Sequence, residues 1–377
     1  MKNILLMFGG NVVEHDISVI TALLTFNNIN KNLYNVLPIY LQNGNFYLCK
    51  KEFTKESIIN FNKNDWRKIT FIDRGICFNK SIQKIVKIDC ALLCTHGGIY
   101  EGGGLQGLLE IYNIPYTSSN ILTSSLCMDK ANSKAFFKYL GLNTTDFVKI
   151  DNTFYNNNKE KAINNILEKL TFPIIVKPNN QGSSIGINIA KNENELQINM
   201  DIAFAFSNEI IVEKALENFV EYNCAGLKTN LSLSISDIEK PTITSDFLTF
   251  NNKYLDSNKP EFPAKISSKL EKEIKNTTEF LFNKLNIEGV ARCDFMFDSV
   301  EDKLYINEIN TIPGSLAFYL FKNQFSFSQM INLLIESSIE KNKTKYIKKY
   351  NTNVLNNFNN SCKINFNKWF TAKLLDK

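Results

Sequence analysis

Two apolar runs, each ending at paired glycines, constrain this chain most. Residues 3–8 (NILLMF) run into Gly9-Gly10, and Ile88 to Cys94 leads to His96-Gly97-Gly98. Unbroken apolar runs of this length mark strands buried on both faces. Between them a helix is predicted from about Glu14 to Asn28, with Ile17, Ile20 and Leu24 at helical spacing. Further strands are predicted at 34–40 and 46–48, residues 50–85 read as polar and irregular, and a helix is expected near 105–113. Strands alternating with helices argue for a parallel sheet under helical cover. In such sheets ligands bind beyond the carboxyl ends of the strands, where both glycine turns fall.

The pattern changes from about Ser124. A helix at 130–140 stops at Gly141, residues 151–160 are Asn-rich and loop-like, and a helix near 159–170 precedes the strand FPIIVK at 172–177. A turn at 182–186, a strand to 190, a helix near 193–206 and the strand EIIVEK at 209–214 complete a small α+β unit. A third unit holds strands near 221–236, a loop at 246–265, a helix over 267–286, strands at 289–298 and 303–310, and a helix beginning after Ser326 or Ser328. The chain is thus expected to be α/β with an α+β central unit. Its divisions fall at 1–122, 123–214, 215–340 and a Lys/Asn-rich tail, 341–377.

Composition removes several function classes. The net charge of +5 is spread along the chain, without the basic, aromatic-interleaved cluster of a nucleic-acid binder. None of the eight cysteines forms a Cys-x-x-Cys pair, so no zinc or redox motif is present and buried free thiols in a reducing compartment are expected. With only His15 and His96, a site built on several histidines is excluded. The N-terminal apolar run is short for a signal peptide and no stretch reaches the ~20 apolar residues of a membrane span, so a cytoplasmic protein is expected.

Five constellations carry chemistry. In VARCDFMFDSVEDKLYINEIN, residues 290–310, two strand-like runs flank a turn centred near Glu301, which sets Asp294 opposite Glu308. Alternation puts Arg292 with Asp294, and Glu308 with Asn310, on one face. Facing carboxylates repel. A divalent cation such as Mg²⁺ would resolve that, with an amide oxygen as third donor. The other reading is the solvated face of an edge hairpin. Lys177 closes FPIIVK before Gly182-Ser183-Ser184, a layout that can meet a phosphate with an ammonium and backbone amides, or be an ordinary turn beside a surface lysine. Glu213 and Lys214 end a strand, followed by Leu216 and Glu221. They could face an adenine and a ribose, or simply be exposed strand ends. Glu14 at a helix start could hold an ammonium or only answer the helix dipole. Finally, the glycines of HGGIYEGGGLQG at 96–107 are costly unless the backbone must bend or approach a ligand.

Together these stretches resemble the D-alanine–D-alanine ligase family of the ATP-grasp superfamily. The resemblance runs in order from residue 4 to about 335, through GGNVVEHDIS at 9–18, HGGIYEGGGLQGLLE at 96–110, MDKANSK at 128–134, VKPNNQGSSIG at 176–186, VEKAL at 212–216, KYL at 253–255, ARCDF at 291–295 and NEINTIPG at 307–314. It implies a three-domain ATP-grasp architecture with an N-terminal parallel-sheet domain for substrate, and an ATP-dependent enzyme joining two D-alanines for peptidoglycan precursors. Lys130 and Lys177 would meet the ATP phosphates under a loop carrying Ser183 and Ser184. Glu213, Lys214, Leu216 and Glu221 would hold adenine and ribose, and Asp294, Glu308 and Asn310 two Mg²⁺, with Mn²⁺ a possible substitute. Glu14 would bind the first D-alanine's ammonium with His96 nearby, and Arg292 and the Gly314 N–H would form the oxyanion site. Lys253 and Tyr254 would ride a closing loop, with Tyr254 in a hydrogen-bonded trio with Glu14 and Ser183. A homodimer is implied, and neither nucleic acid nor membrane.

Three stretches depart from the family. Gly102 follows Glu101 where Asp is usual, 246–265 is an atypical closing loop, and Ser315-Leu316-Ala317-Phe318-Tyr319-Leu320 replaces a Thr and a Ser-His-Ser run at the second substrate's carboxylate. Tyr319 could supply the missing hydroxyl. The last change leaves a D-lactate, D-serine or other amino-acid acceptor as the alternative.

Overall fold

The computed structural model describes residues 1–78, 81–242 and 260–343. Met1–Asn342 form one compact unit. Lys253, Tyr254, most of the expected closing loop and the tail from 344 lie outside the described residues.

The first glycine-terminated run is β1 (Lys2–Gly9), the central strand of its neighbourhood, with Ile4 to Phe8 fully buried. It pairs in parallel with β2 (Tyr34–Gln42) and β7 (Cys90–Leu93). The sheet is not purely parallel. β3 (Asn45–Cys49), β4 (Trp66–Ile72), β5 (Gly75–Phe78) and β6 (Ser81–Lys87) extend it as an antiparallel meander, giving the order β6-β5-β4-β3-β2-β1-β7. The stretch expected to be irregular therefore holds three strands and a short helix, Lys55–Ile59. In β4, Trp66, Ile69 and Phe71 face the core while exposed residues separate them. Charged residues on the open face mask this alternation in the sequence.

Helix α1 (His15–Asn28) forms where expected but turns another face inward. Ile17, Val19, Ala22 and the hydroxyls of Ser18, Thr21 and Thr25 are buried, whereas Ile20 and Leu24 are half exposed. The reason is polar. Ser18 Oγ accepts from Gly9 N at 2.7 Å and donates to the Cys94 carbonyl at 2.8 Å, locking α1 to both glycine-terminated strands.

A second sheet, order β10-β9-β11-β8, joins β8 (Phe147–Asp151), β9 (Ile174–Pro178), β10 (Asn188–Ala190) and β11 (Glu209–Lys214), all antiparallel. The Asn-rich 151–160 stretch is helical rather than a loop, over Asn152–Asn157 and again from Lys159. Asp151 caps it by accepting from the Thr153 and Phe154 amides.

The third sheet, order β13-β12-β14-β15, contains β12 (Phe219–Lys228), β13 (Leu233–Ile235), β14 (Gly289–Asp298) and β15 (Lys303–Asn310). The helix Ser268–Lys284 covers it through Leu270, Ile274, Leu281 and Phe282. The last described helix, Phe327–Lys343, instead packs on the N-terminal sheet. Its Phe327, Met330, Ile331, Leu334 and Ile335 share one core with β1. Each such buried side chain contributes about 1.5–3 kcal/mol, so this return of the chain firmly seats the preceding turn, residues 311–317, beside α1.

Candidate active site

The hairpin β14–β15 brings the polar set together. Asp294 lies opposite Glu308, and Arg292 opposite Asn310. The turn itself sits between Asp298 and Lys303, half a residue earlier than expected. Phe295 pairs with Ile306, so Asn307 is the extra residue of a bulge that restores the expected register at the site. Arg292 grips Asp294 with both prongs, Nε to Oδ1 at 2.6 Å and Nη2 to Oδ2 at 2.7 Å. Asn310 Nδ2 adds a bond to Oδ2 at 3.0 Å. Burial opposes the guanidinium's charge, but Asp294 outweighs it and holds Arg292 firmly protonated. Glu308 Oε2 lies 3.5 Å from the Lys130 ammonium, which donates to the Gln181 carbonyl at 2.6 Å.

The facing wall comes from the first glycine turn. Glu14, buried just before α1, accepts from Ser183 Oγ at 3.0 Å. A Cβ on Gly97 would fall 1.7 Å from one Glu14 oxygen, and one on Gly182 2.0 Å from the other, so both glycines are there to make room for this carboxylate. His96 Nε2 pairs with Thr21 Oγ1 at 2.9 Å. Burial pushes its pKa down to about 4, and Arg292 adds to this against a bond to the Ile312 backbone, so the ring is neutral near pH 7. Thr21 Oγ1 also accepts from Ser315 N at 3.0 Å. Ser315, Leu316 and Ala317 all adopt left-handed backbone, φ 51, 52 and 50, in the stretch that departs from the family. Glu101 ties the two walls, accepting from Gly97 N at 2.9 Å and Ile312 N at 3.0 Å. Burial, with Glu14 and Glu308 nearby, lifts its pKa to about 7 against those two amides.

A cavity of about 450 Å³ opens between the walls. Glu14, His96, Ser183, Glu221, Arg292, Asp294, Glu308, Asn310, Gly314 and Tyr319 all line it. The other expected nucleotide residues sit on the second sheet or beside it. Lys177 Nζ lies 3.2 Å from Glu213 Oε1, and the fully buried Lys134 lies 3.1 Å from Oε2. Thr145 donates to the same carboxylate at 2.7 Å. Oε1 makes no hydrogen bond of good geometry, so Lys177 satisfies it by charge. Burial alone would raise the Glu213 pKa, but the two ammonium groups bring it to about 2. Its side chain therefore faces these two lysines. Lys214 is exposed, Leu216 is half buried, and Ser183 and Ser184 turn through positive φ of 54 and 58.

Sequence reasoning passed over Thr21, Glu101 as a tie, Lys134, Asn223 and Glu239. Lys134, one turn after Lys130, and Asn223, two residues after Glu221, were findable from periodicity. Glu239 follows no motif. It reaches the cavity because its backbone bridges to Asn223.

Family models described as D-ala D-ala ligase N-terminus and C-terminus match residues 3–119 and 136–336. A curated D-alanine–D-alanine ligase of Thermosipho africanus is 35% identical over 361 residues, 93% of this chain and 96% of that protein. Among solved structures, the VanG D-Ala:D-Ser ligase of Enterococcus faecalis superposes with a TM-score of 0.78 at 30% identity, covering 89% of this chain and 99% of that one. The D-alanine–D-alanine ligase of Helicobacter pylori gives 0.74 at 31% identity, covering 89% and 98%.

Proposed function

The chain belongs to the D-alanine–D-alanine ligase family, and from that premise we infer that it joins two D-alanines at the expense of ATP, by way of an acyl phosphate. The observation that carries this reading is one cavity holding Glu14 and His96 on one wall and the Arg292–Asp294–Glu308–Asn310 hairpin on the other. Glu14 offers a buried carboxylate to the first D-alanine's ammonium. The carboxylate of that first D-alanine, a poor electrophile, takes the γ-phosphoryl group of ATP. Arg292 and the Gly314 N–H then meet the negative charge that grows on the carbonyl oxygen as the second amine attacks and phosphate leaves. Phosphoryl transfer asks for positioning and positive charge rather than a protein nucleophile. The neutral His96 can orient the first substrate without competing with its ammonium.

Asp294, Glu308 and Asn310 would hold Mg²⁺, two ions with Mn²⁺ as a substitute. Two carboxylates and an amide oxygen on one strand pair are hard donors of the kind that would fit it. The ion would neutralise the transferring phosphoryl group. Lys130 and Lys177 are read as the phosphate lysines under the 182–186 turn, and Glu221 as the ribose partner. Domains at 1–122, 123–214 and 215–340, action in the cytoplasm on peptidoglycan precursors, and a homodimer complete the proposal. Among the described residues no helix is long and apolar enough to cross a membrane.

The test is phosphate release with ATP and Mg²⁺, with and without D-alanine, followed by product mass. D-alanine-dependent release with a dipeptide product, lost in Asp294→Asn while nucleotide binding persists, is expected. No release with any D-amino acid refutes the reading. The departure at 315–320 leaves a D-serine, D-lactate or other amino-acid acceptor as the alternative, which the same assay with those acceptors decides.

A further inference from the structure

The second amino acid enters as an ammonium ion and must lose a proton before its nitrogen can attack. Among the described residues, six carboxylates line the cavity. Glu14 is bonded to Ser183 and committed to the first ammonium. Glu101 has an oxygen on each of two backbone amides. Asp294 is gripped by Arg292 and Asn310, and Glu308 faces Lys130. Glu221 lies on the side proposed for the ribose. Glu239 is the carboxylate that these roles leave over.

Its placement suits a proton acceptor for the second amine. Glu239 exchanges two backbone bonds with Asn223, at 2.9 and 3.0 Å, and Asn223 Nδ2 donates to Oε2 at 3.0 Å. The strand β12 therefore fixes both its main chain and its carboxylate. Tyr319 lines the same cavity and acts on the Glu239 carboxylate. The Tyr319 hydroxyl accepts from Arg292 Nη1 at 3.4 Å, which sets Glu239 beside the guanidinium assigned to the carbonyl under attack. We propose that Glu239 takes the first proton from the second substrate's ammonium, an inference that rests on the ligase reading. The freed nitrogen pair forms the bond to the acyl carbon. The bond from that carbon to the phosphate oxygen breaks, its electron pair leaves with phosphate, and the nitrogen's second proton leaves on hydrogen phosphate. Glu239 then returns its proton to solvent. Burial raises its pKa against Asn223 and Arg292, with Asp294 adding to the rise, which makes it a stronger base than an exposed glutamate.

The experiment compares the wild type with Glu239→Gln, an isosteric amide that cannot accept the proton. Exchange of the ¹⁸O label from the βγ bridge of ATP, measured with D-alanine present, reports acyl-phosphate formation. It should change little, while dipeptide formation falls about 100-fold or more. Hydroxylamine, already unprotonated at neutral pH, should trap the acyl phosphate as the hydroxamate equally fast in both proteins. Glu239→Asp, which keeps an acceptor, should recover part of the ligation. The inference is overturned if exchange and ligation fall together, or if hydroxylamine fails to restore product formation in the glutamine variant. A glutamine variant that does not fold leaves the aspartate variant to decide, since a ligation rate no better than that of an inactive chain, with exchange intact, also refutes an acceptor role at this position. Absence of exchange in the wild type would instead sink the ligase reading itself.

Discussion

Glu213→Gln is the sharpest test of how the Lys134–Glu213–Lys177 cluster is held together. The carboxylate sits between two ammonium groups, 3.1 Å from Lys134 and 3.2 Å from Lys177. At an effective dielectric of about 20, each contact is worth about 5 kcal/mol of gross attraction. Desolvation of the carboxylate offsets much of this. Breaking a buried pair by removing one partner costs about 3–5 kcal/mol, because a buried charge is left uncompensated, and here two are left. Urea denaturation at pH 7 should therefore show a stability loss of that size.

The pH dependence adds a second constraint. Desolvation lowers the Lys134 pKa from 10.5 to about 8 despite Glu213. Between those values the unfolded chain holds a proton that the folded chain does not, so wild-type stability gains from this group as pH rises from 8 to 10.5. Without Glu213 that proton is lost at lower pH and the gain begins sooner. If Lys134 is already neutral at pH 7 in the variant, the deficit at pH 9.5 is smaller by about 1.4 kcal/mol. Glu213 itself has its pKa lowered from 4.5 to about 2, so the wild type gives up this contribution as pH falls through that window and the deficit narrows there too. A loss below about 1 kcal/mol at pH 7 that stays constant with pH would refute the coupled triad.

Two further perturbations test the opposite wall. Gly97→Ala places a Cβ 1.7 Å from a Glu14 oxygen at a backbone φ of +70. Displacing that carboxylate by about 1 Å should cost about 100-fold in kcat/KM for D-alanine, with circular dichroism unchanged. Ser315→Gly relieves one of three successive left-handed residues, a conformation that costs about 1–2 kcal/mol in a non-glycine residue. After glycine's extra unfolded-state entropy, a net gain of about 0.5–1 kcal/mol in urea denaturation is expected, and a loss would show that Thr21 needs more than the backbone amide at 315.

The hairpin was legible because its information is local. Strict alternation from Arg292 to Asn310 fixes which side chains share a face, and a wrong turn centre did no harm because the Asn307 bulge absorbs the difference. The inward face of α1 was not legible. Apolar spacing pointed to Ile20 and Leu24, yet hydroxyl bonds from Ser18 and Thr21 to distant strands and turns set the helix rotation. Strand β4 was hidden because exposed Arg67, Lys68 and Thr70 dilute its apolar signal.

The site divides along the same line. Residues in glycine-marked turns or at strand ends stand out because such positions are costly unless used. Glu101 and Thr21 do not, because each acquires its partner only when segments more than 200 or 290 residues away return to it, as the Glu101–Ile312 and Thr21–Ser315 bonds show, and Glu239 does not, because it follows no motif and is set by its bridge to Asn223. No local period encodes such a meeting. These three are also the groups that join one wall of the cavity to the other or line it beside Asn223. A motif therefore supplies the parts proposed for the nucleotide and first substrate, while the alignment of those parts depends on tertiary closure. It follows that substitutions at Glu101 and Thr21 should disturb the geometry of both half-reactions together, whereas a change confined to Glu239 should separate them.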